Sequence, residues 1–215
     1  MSVGLKQPRK LFPVPGVRLA AIHSGLKTNP ESTDLVLVEV SEKATLAATF
    51  TTNRFCAAPV TVAREHLEKQ LLSEHRAIRY LLINSGNANA GTGQQGYQDA
   101  LICCQAVAEL GSSSSEQVLP FSTGVIAARL PADTICKAIP SLFDSLCADK
   151  WLEAAEGIMT TDTFPKAITE QVTISGETVT KNGQTKSSEM NKPDLACMLS
   201  SDYIASKIAQ ALTER

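Results

Sequence analysis

The spacing of apolar and polar residues along the chain predicts several short strands. Most are runs rich in Val, Leu and Ile that end at polar turns, and one pair alternates around Ser175-Gly176 as a hairpin does. A short polar turn, Ser41–Lys43, separates the first two strands. In chain order, the predicted strands are Asp34–Val40, Ala44–Thr51, Arg79–Asn84, Gln117–Phe121, Gln171–Ile174 and Glu177–Lys181.

Helical periodicity appears between these strands. In Tyr97–Leu110 the apolar residues fall near one face, and Gly111 stands where a C-terminal cap belongs. A further helical region begins at Pro131, and we expect Pro140 to split it because proline removes a helical donor. The mixture of hairpins and helices predicts an α/β fold of the mixed α+β kind. The remaining predicted helices are Arg64–Glu74, Trp151–Ile158 and Asp202–Glu214.

Composition and charge narrow the classes of function. The chain has 215 residues, of which 43% are hydrophobic, and this is enough for a substantial core. Its net charge of -2 gives no reason to expect a nucleic-acid or membrane partner, and no apolar run reaches membrane-span length. The start of the chain lacks the apolar stretch of a secretory signal, so we expect a cytoplasmic protein. The six cysteines form no C-x-x-C pair and the three histidines lack ligand spacing, so we expect no metal.

One glycine-rich loop imitates a nucleotide-binding motif. Gly91, Gly93 and Gly96 match G-x-G-x-x-G between a strand and a helix. In a dinucleotide site the glycines begin directly at the strand end, whereas here the residues from Ser85 onward intervene. The spacing therefore favours a loop in which glycines permit positive φ angles and close backbone approach.

Three other segments could carry chemistry. A strand that ends in Ser122-Thr123-Gly124 can direct backbone N–H groups and a hydroxyl at one point, as an oxyanion site requires, although Thr-Gly is also an ordinary turn. The segment from Met159 to Lys166 (MTTDTFPK) could bind an amino acid through its carboxylate and amine, or be a solvated loop with threonine capping. Cys197, between Ala196 and Met198, is either a nucleophile or a buried small hydrophobe.

Several strings occur together in one family. Phe50-Thr-Thr-Asn-Arg-Phe55 is followed by Ala57-Ala-Pro-Val60, and then come Asn84-Ser-Gly-Asn-Ala-Asn-Ala90, Ser122-Thr-Gly-Val-Ile126 and Met159-Thr-Thr-Asp-Thr163. In this order they resemble the N-terminal part of the ornithine acetyltransferase (glutamate N-acetyltransferase) family, and the resemblance covers roughly residues 12–199. It implies a layered sandwich of sheets flanked by helices. It also implies a multifunctional acyltransferase of arginine biosynthesis that passes acetyl from N-acetylornithine to glutamate, without a cofactor.

The resemblance also assigns residues. Members of the family cut themselves at an Ala-Thr bond, and the new N-terminal nucleophile carries the acetyl group with its own α-amine as base. The cut maps to Ala196 and Cys197, so Cys197 takes the nucleophile position. The oxyanion pair maps to Thr123 and Gly124, and substrate binding maps to Thr160, with Thr161 as the adjacent possibility, and to Lys186. Residues 1–196 then form an alpha-chain-like acetyltransferase domain, and residues 197–215 are expected to be a remnant of the second chain.

The sequence departs from the family pattern near the cut. Ser187 and Glu189 replace two glycines, and Cys197 replaces threonine. The short stretch after Cys197 further predicts a truncated member that depends on a second-half chain or on a homo-oligomer. Three hypotheses therefore remain open: an acetyltransferase subunit or precursor, a catalytically inactive binding module, and a cysteine-dependent amidohydrolase.

Overall fold

The computed structural model describes residues 10–72, 77–174, 176–186 and 195–200, with side chains throughout except at positions 71, 186 and 195–200. The predicted helix at Asp202–Glu214 lies outside these ranges. None of the described helices is long and apolar enough to cross a bilayer. The strands are β1 (Val17–Ile22), β2 (Leu35–Val40), β3 (Tyr80–Asn87), β4 (Val118–Val125), β5 (Lys166–Ile174), β6 (Glu177–Lys186) and β7 (Leu195–Ser200). The helices are α1 (Ala58–Leu72), α2 (Gly93–Leu110), α3 (Ala132–Asp144) and α4 (Trp151–Gly157), with a 3-10 turn at Ser115–Gln117.

The first sheet has four strands in the order β1-β2-β3-β4. β1 and β3 both pair antiparallel with β2, whereas β4 pairs parallel with β3. A parallel pair needs a crossover connection, and α2 supplies it. As a result, the carboxyl ends of β3 and β4 lie side by side at one edge of the sheet.

Apolar side chains cover both faces of this sheet, which explains why its central strands have nearly continuous apolar runs. On β2, Leu35 and Leu37 pack into one core with residues of α2 and α3, while Val36 and Val38 pack into a second core on the opposite face. Trp151 of α4 belongs to this second core and is 2% exposed. The sheet is therefore an inner layer, with helices on one side and α4 on the other.

The second sheet contains β5, β6 and β7 in that order, all antiparallel. α4 contacts strands of both sheets. Two hydrogen bonds reinforce the attachment of β6: Gln184 Nε2 donates to the Trp151 carbonyl at 2.6 Å, and Asn182 Nδ2 donates to the Phe12 carbonyl at 2.6 Å. The layered mixed arrangement of sheets and helices predicted above is confirmed.

Several local predictions were wrong. Ala44–Thr51 forms no strand, and it could not pair with the preceding strand β2, because both edges of β2 are already paired with β1 and β3. β1 itself was not predicted. Pro140 does not split α3, whose buried residues Ile139 and Leu142 pack on either side of it. The hairpin of β5 and β6 is confirmed and is longer than its alternation suggested.

The Leu37→Ala substitution tests the importance of the first core. Leu37 is 0% exposed, so we expect the free energy of unfolding to fall by about 2–5 kcal/mol in urea denaturation. Leu72→Ala is the matched control, because Leu72 is 89% exposed and its truncation should cost less than about 0.5 kcal/mol. Equal losses in the two variants would contradict the assigned core.

Candidate active site

The parallel pair of β3 and β4 ends in a close approach of two glycines. Gly86 lies opposite Gly124, and the strand register shifts between Gly86 and Asn87. Gly124 has a φ of 137°, and a Cβ placed there would lie 2.3 Å from the Gly86 carbonyl carbon and 2.6 Å from the Asn87 nitrogen. Only glycine fits such a position. Thr123, the residue before it, is buried. The two predicted oxyanion residues therefore lie where the ladder becomes irregular, and irregular pairing leaves backbone groups for other partners.

Asparagine side chains fix the shape of this strand end. Asn84 Nδ2 donates to the Asn87 carbonyl at 2.8 Å, and Asn84 Oδ1 accepts the Ser122 hydroxyl at 2.6 Å. Asn87 Nδ2 donates to the carbonyls of Ala128 and Arg129, which tie down the chain after β4. Asn84 and Asn87 are both buried, so these bonds satisfy amide groups that would otherwise be costly to bury.

The glycine-rich loop is held by the same kind of network. Asn89 Nδ2 donates to the Gly96 carbonyl at 2.8 Å, and Thr92 Oγ1 donates to Asn89 Oδ1 at 2.8 Å. Gly91 and Gly93 have positive φ angles, and a Cβ on Gly96 would lie 1.9 Å from Thr92 Oγ1. The helix begins at Gly93, earlier than predicted. These contacts support the structural interpretation of the glycines over nucleotide binding.

The predicted substrate threonine lies in the segment after α4. The Thr160 backbone N–H donates to Asp162 Oδ2 at 3.3 Å, and Asp162 forms an ion pair with Lys166 at the start of β5. Thr160 is partly buried, whereas Thr161 is exposed. The Ser85 hydroxyl of β3 donates to the Gly157 carbonyl at 2.6 Å, so the start of this segment is anchored beside the glycine pair.

Two charged residues, Asp34 and Lys27, connect the end of β3 to the segment after α4. The sequence analysis did not single them out. Asp34 is fully buried and accepts hydrogen bonds from the backbone N–H groups of Ser24 and Lys27 and from the Ser24 hydroxyl. Lys27 Nζ donates to the carbonyls of Thr33 and Met159, both at 2.8 Å. No motif contains these residues, and the only signal in the sequence was an aspartate directly before a strongly apolar strand.

The candidate cleavage bond lies on the second sheet. By backbone register, Cys197 pairs with Gln184, and Ala196 pairs with Thr185, which pairs in turn with Lys166. Adjacent strands are about 4.8 Å apart, so Ala196 and the Lys166 backbone are separated by about 10 Å. Lys186 ends β6 opposite Leu195. The side chains of Lys186, Ala196 and Cys197 lie outside the described part of the chain, so their assigned roles stay predictions.

Two other cysteines, Cys103 and Cys104, are poor nucleophiles. Burial raises the pKa of Cys104. Cys103 and Cys136 interact on adjacent helices: the hydrogen bond between their side chains raises the pKa of Cys103 and lowers that of Cys136. Cys103 and Cys104 are both buried in the first core, so neither is available to substrate.

Comparison with known proteins identifies a family. The model of the ArgJ family matches residues 18–215. The "Arginine biosynthesis bifunctional protein ArgJ" of Methylococcus capsulatus is 46% identical over 190 residues, which are 88% of this chain and 45% of that protein. Its counterpart from Colwellia psychrerythraea is 40% identical, over 100% of this chain and 52% of that protein. The chain thus spans about half the length of the curated relatives it matches.

Solved structures agree with the fold. The crystal structure of the arginine biosynthesis bifunctional protein ArgJ from Bacillus halodurans has a TM-score of 0.74 and 32% identity, covering 86% of this chain and 92% of that one. Ornithine acetyltransferase from Mycobacterium tuberculosis, complexed with ornithine, has a TM-score of 0.70 and 27% identity, covering 89% of this chain and 99% of that one.

Gly124→Ala tests the close approach of β3 and β4. We expect its cost in unfolding free energy to exceed that of Gly93→Ala by about 1–3 kcal/mol, because the new methyl group overlaps backbone atoms of Gly86 and Asn87. Gly93 is the matched control, since its φ is also positive but a Cβ there meets nothing within 4 Å. Equal costs in urea denaturation would contradict the packing described here.

Proposed function

The chain belongs to the ArgJ family, and on that basis we propose that it is an acetyltransferase of arginine biosynthesis, which passes acetyl from N-acetylornithine to glutamate. One observation carries the proposal: the glycine pair of β3 and β4, the segment containing Thr160 and the register position of Ala196 are connected by a series of contacts. An acyl-transfer site needs an oxyanion cradle, a substrate contact and a nucleophile within reach of one another.

The first proposed step is self-cleavage between Ala196 and Cys197. The Cys197 thiol adds to the Ala196 carbonyl, its proton passes to the Cys197 nitrogen, and the C–N bond breaks to leave a thioester. Water then hydrolyses the thioester, which releases the Ala196 carboxylate and a free thiol next to a new α-amine. Cysteine suits this reaction because thiolate is a strong nucleophile.

The second proposed step is acetyl transfer. The α-amine of Cys197, with a pKa near ~8, takes the thiol proton, and the thiolate attacks the acetyl carbonyl of N-acetylornithine. The cradle at Thr123 and Gly124 stabilises the resulting oxyanion. The C–N bond breaks, the ornithine amine leaves with the proton, and the thioester holds the acetyl group until the glutamate amine attacks it. Thr160 and Lys186 are proposed to bind the amino-acid substrates.

The proposal extends to organisation and location. Residues 1–196 would form the alpha-chain-like unit and residues 197–215 the beginning of the second. A second-half chain or another copy of this chain would complete the site, and the cytoplasm is the proposed location, as for a biosynthetic enzyme. The ornithine bound to the Mycobacterium tuberculosis relative supports the choice of substrate class.

Mass spectrometry of the purified chain tests self-cleavage. We expect two fragments that meet between Ala196 and Cys197, and we expect Cys197→Ala to remain intact because it lacks the attacking thiol. Cys147→Ala is the matched control, since Cys147 is an exposed cysteine elsewhere and its loss should leave cleavage unchanged. Cleavage in Cys197→Ala would contradict the assignment. An intact wild-type chain that transfers no acetyl, even with a relative's second-half chain added, would favour a binding module.

Thr123 offers a test of the oxyanion cradle. If its hydroxyl donates to the oxyanion, Thr123→Ala should lower the rate of acetyl transfer by about 10²–10³-fold, whereas Thr123→Ser should retain most of it. The rate is measured as label passing from N-[¹⁴C]acetylornithine to glutamate. An unchanged rate in Thr123→Ala would show that the hydroxyl is not an oxyanion donor, so that only backbone donors form the cradle.

A further inference from the structure

Lys27 lies between two parts of the proposed site, the strand pair that ends at Thr123-Gly124 and the segment that contains Thr160. Its side chain is half-buried, and its ammonium donates to two backbone carbonyls, one on Thr33 before β2 and one on Met159. Met159 directly precedes Thr160. The Thr160 backbone is therefore linked, through Met159, to the Lys27 side chain of the loop between β1 and β2.

The stem of the same side chain lies against the glycine pair. A Cβ built on Gly86 would lie 3.5 Å from Lys27 Cγ and 3.2 Å from the Leu26 carbonyl oxygen. Gly86 is the direct partner of Gly124. A single side chain thus lies beside Gly86, in the strand pair that holds the predicted oxyanion residues, and hydrogen-bonds the residue before the predicted substrate threonine.

The loop that carries Lys27 is itself held in place. Asp34, buried at the start of β2, accepts the Lys27 backbone N–H at 2.9 Å and two hydrogen bonds from Ser24. Burial lowers the pKa of Lys27, while the charges of Asp34 and Asp162 oppose that effect. Lys27 Nζ donates to both carbonyls, and Asp34 fixes the backbone from which the side chain extends.

We propose that Lys27 is a positioning residue that sets the distance between the Thr123-Gly124 cradle and the substrate-binding segment at Thr160. This inference rests on the proposed acetyltransferase function. Within the described residues, the side-chain hydrogen bonds of Lys27 to Met159 and of Ser85 to Gly157 join the β3 end and its neighbouring loop to the end of α4 and the segment after it. Without Lys27, the end of α4 keeps its anchor at Gly157 and Thr160 keeps its hydrogen bond to Asp162, but the Met159 carbonyl loses the donor that links it to the loop between β1 and β2.

Kinetics of acetyl transfer test the proposal. Lys27→Met keeps the length of the side chain but removes its charge and donors, so we expect the KM for N-acetylornithine to rise at least about tenfold with a smaller change in kcat. Lys27→Arg retains charge and donors and should recover part of the loss. Lys137→Met is the matched control because Lys137 is an exposed lysine on α3, and its KM should equal that of the wild type. A wild-type KM in Lys27→Met would overturn the proposal.

Hydrogen exchange tests the positioning without any enzymatic activity. In Lys27→Met the amides of residues 159–162 should exchange faster than in the wild type, whereas Lys137→Met should leave them unchanged. Unchanged protection in Lys27→Met would overturn the proposal even if transfer is normal. If the wild type transfers no acetyl even with a relative's second-half chain added, the acetyltransferase proposal fails, and the exchange result alone decides the role of Lys27 in ordering the segment.

A labelling experiment on the wild type covers the case in which Lys27→Met does not fold. Reductive methylation followed by peptide mass spectrometry compares the amine of Lys27 with that of Lys137. Because the Lys27 ammonium is engaged by two carbonyls and half-buried, it should be methylated severalfold more slowly. Equal rates would show that the bridge to Met159 does not persist in solution and would overturn the proposal.

Discussion

The contact between Gly86 and Gly124 is the constraint on which the rest of the site depends. Two parallel strands approach so closely at their carboxyl ends that a single methyl group on Gly124 would overlap the backbone of β3. Regular pairing therefore cannot continue, and the register shifts at this point. In parallel sheets, ligand sites form at the carboxyl ends of strands, where the ladder stops and backbone groups face outward. The glycines thus end the regular ladder beside buried polar side chains.

The buried asparagines are a consequence of that constraint. Where a ladder becomes irregular, its backbone groups need other partners, and burial makes an unpaired group costly. Asn84 supplies one such partner by donating to the Asn87 carbonyl, and the Ser122 hydroxyl fixes the Asn84 amide from the neighbouring strand. Asn87 donates in turn to the carbonyls of Ala128 and Arg129 in the loop after β4. The string Asn84–Ala90 is therefore recognisable in the sequence, because most of its polar side chains hydrogen-bond a particular backbone group. Asn89, in the same string, holds the glycine-rich loop. The glycines of that loop therefore have a structural role, although their spacing resembles a phosphate-binding motif.

The sequence allowed prediction of the central strands and the main helices, whereas the close grouping of Thr123 and Gly124 with the asparagine-rich string emerged only from the structure. The pattern of apolar residues predicted a strand correctly where the strand's own residues are nearly all buried, as in β2 and β3. It failed at Ala44–Thr51, because alternation cannot reveal that both edges of β2 are already occupied. It also missed Lys27 and Asp34. Their importance arises from contacts across 132 positions of sequence, from Lys27 to Met159, and such contacts leave no local pattern.

Joining two loops through a half-buried lysine is unfavourable in free energy unless the amine is well compensated, so its surroundings indicate its role. Removing an ammonium from water is unfavourable unless hydrogen bonds and nearby charges compensate. Lys27 has two carbonyl acceptors, with the carboxylates of Asp34 and Asp162 close enough to influence it. An apolar side chain in its place would leave the Met159 carbonyl without that donor and would let the segment move away from Gly86. On the proposal made above, the Lys27 side chain fixes a distance, and that distance separates the residue that would hold the substrate from the residues that would stabilise its transition state.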